Sequence, residues 1–356
     1  MRGLVNIAMG LLLVGSGCAT LAGAATGDRD LPNAEAGPFR ELKKGELGLS
    51  LVTPNAADDT KTLSRDVSVI DLDGDPATFA IAGYFAASAN GAEVDEPTIE
   101  IRRTVAEDAR SFDRQREVVL QVSEAWEEGT IGGPSALVRD GEVWLFYAGG
   151  QGIGLATSAD GVAFSKHAGG AVLGVANQGW DAGAVPKSPS VVELPGGELA
   201  MFYEVTLGDG KSAIGEARSG DGVSWERVGE GPRITPGPAG EEAYDDARVG
   251  GPCAVAAVTE LGRDVLRLYY SAESSAGKRT IGLAARFEDE AFERAASPVF
   301  GAGSSRGPSE PSVIAFDGFT MIFATQSRSN TDESPAVAGG VAPAQAVLPP
   351  PAEMDP

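Results

Sequence analysis

The sequence predicts an all-β fold, a five-bladed β-propeller with four strands in each blade. Three observations predict it. One unit recurs five times along the chain, at spacings that suit a ring of blades. Each unit is made of strand-length apolar runs bounded by Gly, Asp or Pro. No long segment repeats its apolar residues with the 3.6-residue period of a helix. The unit is clearest where "GPSALV", "EVWLFYAGG", "GIGLATS" and "ADGVAFSK" return as "SPSVVEL", "ELAMFYEV", "AIGEARS" and "GDGVSWER". An earlier copy runs "DVSVIDL", "TFAIAGYFAAS", "TIEIRRTVAED", "RSFDRQ", and a later one "GPCAVAAV", "VLRLYYSAE", "TIGLAARFED", "AFERA". The last copy, "EPSVIAF", "FTMIFATQS", "PAVAGGVAP", lacks a fourth run. The segment holding Phe39-Arg40 matches Phe164-Ser165, Trp225-Glu226 and Phe292-Glu293, so it is expected to complete the last blade and close the ring. Closure removes the open sheet edges that a linear array would leave. Two stacked sandwiches are the alternative arrangement of the same strands.

The stretch before the first unit reads differently. Arg2 is a short positive region, Leu4 to Val14 is apolar, and small residues lead to Cys18. This is the pattern of an export signal, too short to span a bilayer. It resembles a bacterial lipoprotein signal, which implies that Cys18 is acylated and that an exported protein is anchored to the cell envelope. Ala19 beside it favours the outer membrane. The expected organisation is a signal over 1–17, a flexible tether over 18–37, the propeller over 38–343, and a Pro-rich disordered tail over 344–356. The membrane is then reached through the lipid alone.

The 356 residues carry a formal net charge of -23, which argues against nucleic acid, a partner that requires a basic face. One histidine, His167, and the absence of HxxxH and CxxC spacings argue against a zinc site and against a Ser-His-Asp triad. No cofactor or metal is expected. Cys253 has no cysteine partner in the mature chain, so no disulfide is expected. The "S-x-D-G-x-x-aromatic" turns at Ser158–Phe164 and Ser219–Trp225 read as structural, with Asp bonding turn amides and Gly supplying a positive φ.

The repeated "P-S-V-V … (L/M)-F-Y … I-G-x-A-x-S-x-D-G-x-x-W" unit resembles the five-bladed propellers of the arabinanase, levansucrase and invertase-like glycoside hydrolases and the related mannoside phosphorylases. The resemblance implies catalytic acids at the start of the innermost strands. Here that position holds Asp66, Gly133, Ser188, Gly251 and Glu310, just before Val67, Pro134, Pro189, Pro252 and Pro311. Two of the five are acidic. Glycoside cleavage requires one protonated and one ionised carboxyl, which casts Glu310 as acid and Asp66 as base. The family's third acid has its candidates in Asp246 and Asp181, in loops before inner strands. Trp126, Trp180 and Tyr244 occupy matching loop positions, suited to stacking on sugar rings or to packing between blades. Arg248 and Arg306 are candidates to bind substrate, or to hold Asp66 and Glu310 as solvated charges beside Arg65. Three readings stay open: an envelope glycosidase acting on an oligo- or polysaccharide, a non-catalytic propeller binding a glycan or a protein, and a structural scaffold.

Overall fold

A computed structural model describes residues 38–41, 64–74, 80–88, 97–106, 112, 117–240, 243–258, 263–304, 307–316, 319–327 and 335–343. They form antiparallel sheets arranged as a propeller. The chain opens with β1 (Arg40–Glu41). Blade one is β2 (Ser64–Asp71), β3 (Ile81–Ser88), β4 (Thr98–Ala106) and β5 (Glu117–Gln121). Blade two is β6 (Ile131–Arg139), β7 (Glu142–Gly149) and β8 (Gly152–Ser158), edged by β9 (Ser165–Lys166) and β10 (Leu173–Gly174). Blade three is β11 (Lys187–Glu193), β12 (Leu199–Thr206), β13 (Ser212–Ser219) and β14 (Glu226–Arg227). Blade four is β15 (Arg248–Val258), β16 (Asp264–Glu273) and β17 (Arg279–Phe287), edged by β18 (Glu293–Arg294) and β19 (Phe300–Ser304). Blade five is β20 (Ser309–Phe316), β21 (Phe319–Ser327) and β22 (Pro335–Pro343), and β1 is its outer strand, with Arg40 opposite Val341 and Glu41 opposite Gly340. The unit departs from four plain strands in blades two and four, where two short pieces share the outer edge.

Two rings of contacts join neighbouring blades. In each inner strand a register shift interrupts the ladder, as between Gly132 and Ser135 or Lys187 and Ser190. Such a bulge leaves backbone groups free to bond elsewhere. The residue after the bulge takes up one of them from the next blade. Ser68 Oγ accepts the Ala136 N–H, Ser135 Oγ that of Val191, and Ser190 Oγ that of Ala254. Cys253 Sγ receives the Val313 N–H at 3.3 Å, and Ser312 Oγ accepts the Val69 N–H, which closes the circle. A hydroxyl is a good acceptor and a thiol a weak one. Ser135→Ala should therefore strand the Val191 N–H and cost about 1–3 kcal/mol, whereas Cys253→Ala should lose less from this bond. Denaturant unfolding of the two variants checks the order; equal losses would mean that the hydrogen bond is not what holds the inner ring.

The second ring is aromatic. Tyr84, Phe146, Phe202, Tyr269 and Phe323 lie directly opposite Ser68, Ser135, Ser190, Cys253 and Ser312. Each meets, edge to face, an aromatic from the outer part of the following blade. The pairs are Tyr84–Phe164, Phe146–Trp225, Phe202–Phe292, Tyr269–Phe39 and Phe323–Phe112, with ring centroids 5.8 or 5.9 Å apart. Edge-to-face pairs at this spacing add to the burial of the rings themselves. Phe39 thus fills the position in the last blade that its counterparts fill elsewhere, as its sequence match predicts. The Asp turns are structural as well: Asp160 Oδ1 accepts from the Val162 and Ala163 N–H groups, which draw its carboxyl down to about 2, and Gly161 has φ 70°.

Candidate functional site at the propeller axis

The bulges that build the inner ring also build the site. Asp66, Gly133, Ser188, Gly251 and Glu310 all stand in the left-handed region, with φ between 47° and 56°. Glycine adopts this conformation without strain, whereas for Asp66, Ser188 and Glu310 it costs about 1–2 kcal/mol each. The five residues and those that follow them line one small axial cavity of about 30 Å³. The inner-strand column of the sequence is therefore the axis of the molecule.

Asp66 and Glu310 come together there, from blades that adjoin across the ring closure. The two carboxyls line the same cavity and act on each other electrostatically. Asp66 Oδ2 accepts the Gly133 N–H at 3.1 Å, and the Asp66 N–H donates to Thr325 Oγ1 at 3.1 Å. The Glu310 N–H donates to Ser271 Oγ at 2.6 Å. Glu310 Oε2 is buried without a hydrogen-bond partner. Burial, and then the charge of Asp66, push the Glu310 carboxyl well above the usual carboxylate range, against the weaker pull of Thr325 and Arg65. The fold thus favours the protonated form of Glu310.

A carboxyl whose folded pKa is raised binds its proton more tightly in the folded chain than in the unfolded one. Stability then falls as pH climbs from the unfolded value, about 4.3, through the folded one. Glu310→Gln keeps a donor toward Asp66 and removes that penalty. It should raise the melting temperature at pH 7, and the gain should vanish near pH 4. Thermal melts across this range decide it; a pH-independent gain would place the effect elsewhere than in the proton.

The other candidates stand apart from this pair. Asp246 does not line the cavity; it accepts the Ser275 N–H at 2.9 Å, which holds its carboxyl below the usual range. Asp181 is 1% exposed and is bound by Tyr203 Oη at 3.0 Å and Arg227 Nε at 2.7 Å. Trp126 lies across Tyr147 and against Gly154, where a Cβ would stand 2.6 Å from the indole. Trp180 stacks on Tyr203 and covers Gly215 in the same way. Tyr244 Oη meets Tyr270 Oη at 3.2 Å and donates to the Ala295 carbonyl. These three aromatics are engaged with their own blades, a packing different from the contact between blades that the sequence left open. Each precedes an acid, Glu127, Asp181 or Asp245, that accepts a second-strand tyrosine hydroxyl and an outer-strand cation: Tyr147 with Lys166, Tyr203 with Arg227, Tyr270 with Arg294. The recurring Trp/Tyr-acid pair is thus a clamp that holds the loop to its blade. Arg306 and Cys18 lie outside the described residues. Among the described residues no group of His, Cys, Asp or Glu is placed to hold a metal ion, and no helix is long and apolar enough to cross a membrane.

One residue beside the cavity escaped the sequence reading. Ala86, Ala148, Glu204, Ser271 and Thr325 occupy equivalent places, two residues beyond the second-strand aromatic. Glu204, Ser271 and Thr325 each accept the N–H of the left-handed residue in the next blade. Glu204 is the charged member of this column, so the repeat alignment itself held the signal. Arg248 donates to Glu204 Oε1 at 2.8 Å.

No protein-family profile matches the sequence, and no curated protein matches it. Solved structures do match. A thermostable family-43 glycoside hydrolase is 14% identical, with 83% of this chain and 95% of that chain covered and a TM-score of 0.59. The β-1,2-mannobiose phosphorylase of Listeria innocua, solved with β-1,2-mannobiose, is 13% identical over 86% of this chain and 97% of that one, TM-score 0.61. A family 117 glycoside hydrolase of Zobellia galactanivorans is 14% identical over 85% and 90%, TM-score 0.59. The fold is that of the propeller glycoside hydrolases. At these identities the likeness is one of architecture, and activity has to be argued from the axial residues.

Proposed function

We propose that the protein is an exported lipoprotein whose glycosidase-like propeller binds a glycan at its axial end without hydrolysing it. The acids at the axis carry this reading: Asp66 and Glu310, from adjoining blades, line the cavity, and among the described residues no third acid lines it with them. The cavity they line is small as well, about 30 Å³, room for a water or two. One observation favours hydrolysis instead: Glu310, its carboxyl pushed well above the usual range, shares the cavity with a second carboxyl, Asp66, and acid-base cleavage uses such an unequal pair. Glycan binding is supported by the solved neighbours, one of which holds a mannobiose.

The test is a panel of arabinan, xylan, fructan and mannan oligosaccharides together with acidic ones, oligogalacturonate and a sulfated carrageenan oligosaccharide, read for binding to any member by calorimetry and for cleavage by product analysis. Binding with no product is expected. Turnover by the wild type that is lost in Asp66→Asn and Glu310→Gln would overturn the non-hydrolytic reading; neither binding nor turnover would leave the scaffold. The anchor rests on Cys18 in its signal context. Cys18→Ser should shift the protein from the membrane fraction to the soluble one, because stable anchoring takes more than one acyl chain.

A further inference from the structure

Beside the carboxyl pair lies a charge cluster that the axial chemistry does not use. Glu204 is 3% exposed. Its Oε2 accepts the N–H of Gly251, a residue of the cavity wall, at 3.0 Å. Its Oε1 faces two cations, Arg248 Nη2 at 2.8 Å and Lys187 Nζ at 3.4 Å. The fit depends on Gly250, where a Cβ would stand 2.3 Å from Glu204 Oε2. Burial alone would raise the Glu204 carboxyl, but Lys187 and Arg248 outweigh it and hold it below the usual range. The carboxylate is sunk in the protein, while the side chains of Arg248 and Lys187 remain 54% and 40% exposed.

Two cations share one buried anion, so the cluster keeps an excess of positive charge at the surface. A guanidinium has five N–H donors and an ammonium three. Arg248 commits one Nη to Glu204, and the Lys187 ammonium stands 3.4 Å from the same oxygen. Both are anchored from below, which reduces the entropy lost on gripping a ligand. Their placement ties them to the axis: Lys187 precedes Ser188, and Arg248 opens the strand that carries Gly251, both in the cavity wall. The acids that face Arg248 besides Glu204 are Glu273 and Glu310. Glu273 is itself paired with Arg279 at 3.4 Å, and burial pushes the Glu310 carboxyl well above the usual carboxylate range.

We propose that Lys187 and Arg248 form an anion subsite, and that the glycan bound at this end of the propeller carries carboxylate or sulfate groups. The proposal rests on the glycan-binding reading and adds the class of glycan. A planar guanidinium matches the oxygens of either group in a forked geometry, and the lysine supplies a second, unshaped charge. The net charge of -23 does not forbid this, because at about 0.15 M salt charges beyond about 8 Å are largely screened.

The experiment is calorimetric titration of the whole protein in 0.15 M salt with three probes: oligogalacturonate, a sulfated carrageenan oligosaccharide and a neutral dextran oligosaccharide. An acidic probe should bind and dextran should not. Affinity for the carboxylated probe alone identifies the carboxylate, and for the sulfated probe alone the sulfate. Lys187→Gln and Arg248→Gln should each weaken binding by about tenfold or more. Arg248→Lys keeps the pair with Glu204 and the fold, and should still bind several-fold more weakly for want of the fork. If dextran binds as well as the acidic probes and the variants match the wild type, the anion subsite is wrong and glycan binding stands. If no oligosaccharide binds, neutral ones included, both readings fall.

Discussion

Phe39→Ala should destabilise the propeller by about 3–5 kcal/mol, the cost of deleting a buried phenylalanine side chain. Phe39 is 7% exposed and packs edge-on against both Tyr269 and Phe300, with centroids at 5.9 and 6.3 Å. Its N–H donates to the Val299 carbonyl at 2.7 Å, which pins the ring between blades four and five. The neighbouring Arg40 and Glu41 then pair with β22. A whole domain is stable by only about 5–15 kcal/mol, so the loss is a large share of the total. Removing the chain through Glu41 should cost more still, since it also exposes the edge of β22. Equilibrium unfolding in urea measures both. A Phe39→Ala midpoint close to that of the wild type would mean that the ring is held shut by something other than this anchor.

Glu216→Ala should be comparably damaging, at about 3–5 kcal/mol, for an electrostatic reason. Glu216 and Arg286 are each 1% exposed. Arg286 grips the carboxylate with two hydrogen bonds, at 2.7 and 3.0 Å, and Arg218 and Arg233 add one each at 2.7 Å. Removing the carboxylate leaves the Arg286 guanidinium buried with Phe292 beneath it at 4.6 Å and no anion beside it. Replacing Glu216 and Arg286 together with apolar residues of similar size should cost less than Glu216→Ala alone, because no buried charge is then left over. A double variant less stable than the single one would refute that account. Burial pushes the Glu216 carboxyl up, but Arg286 and Arg218 win and hold it below the usual range. Its folded pKa is thus depressed, and its contribution is present above the unfolded value and lost as pH falls through the folded one. Acid should therefore weaken the wild type at this site and leave Glu216→Gln insensitive here.

The five-fold column of Asp66, Gly133, Ser188, Gly251 and Glu310 was legible because a repeat alignment maps directly onto blades. So was the role of Phe39, since an aromatic recurs at its position in the other units. The contact between Asp66 and Glu310 was not legible. Both side chains are aimed by left-handed bulge residues, and a column of letters records neither φ nor the distance across an axis. The loop aromatics were ambiguous for another reason. Trp126, Trp180 and Tyr244 fit a sugar-stacking rim as well as a packed clamp when read alone. Their companions decide: the acid that follows each, the second-strand tyrosine and the outer-strand cation form a set that packing requires and a binding rim does not. Asp181 was spent in this way, so its candidacy as a third acid depended on partners far along the chain. Glu204 carries no signal in the inner-strand column, because its carboxylate arrives from a second strand.

Ring closure also imposes an order on the making of the protein. Arg40 lies opposite Val341, so this strand is synthesised well before its partner. Until Tyr269, Phe300 and β22 exist, Phe39 has nowhere to dock, and its segment waits as an unpaired, sticky leader. Pairing between such distant segments is slow, because the loop entropy is lost before any contact rewards it. During that interval the open edge of blade five can accept the leader of another molecule as readily as its own. A high concentration of freshly made chains should thus favour exchanged dimers, in which each ring is sealed by its neighbour.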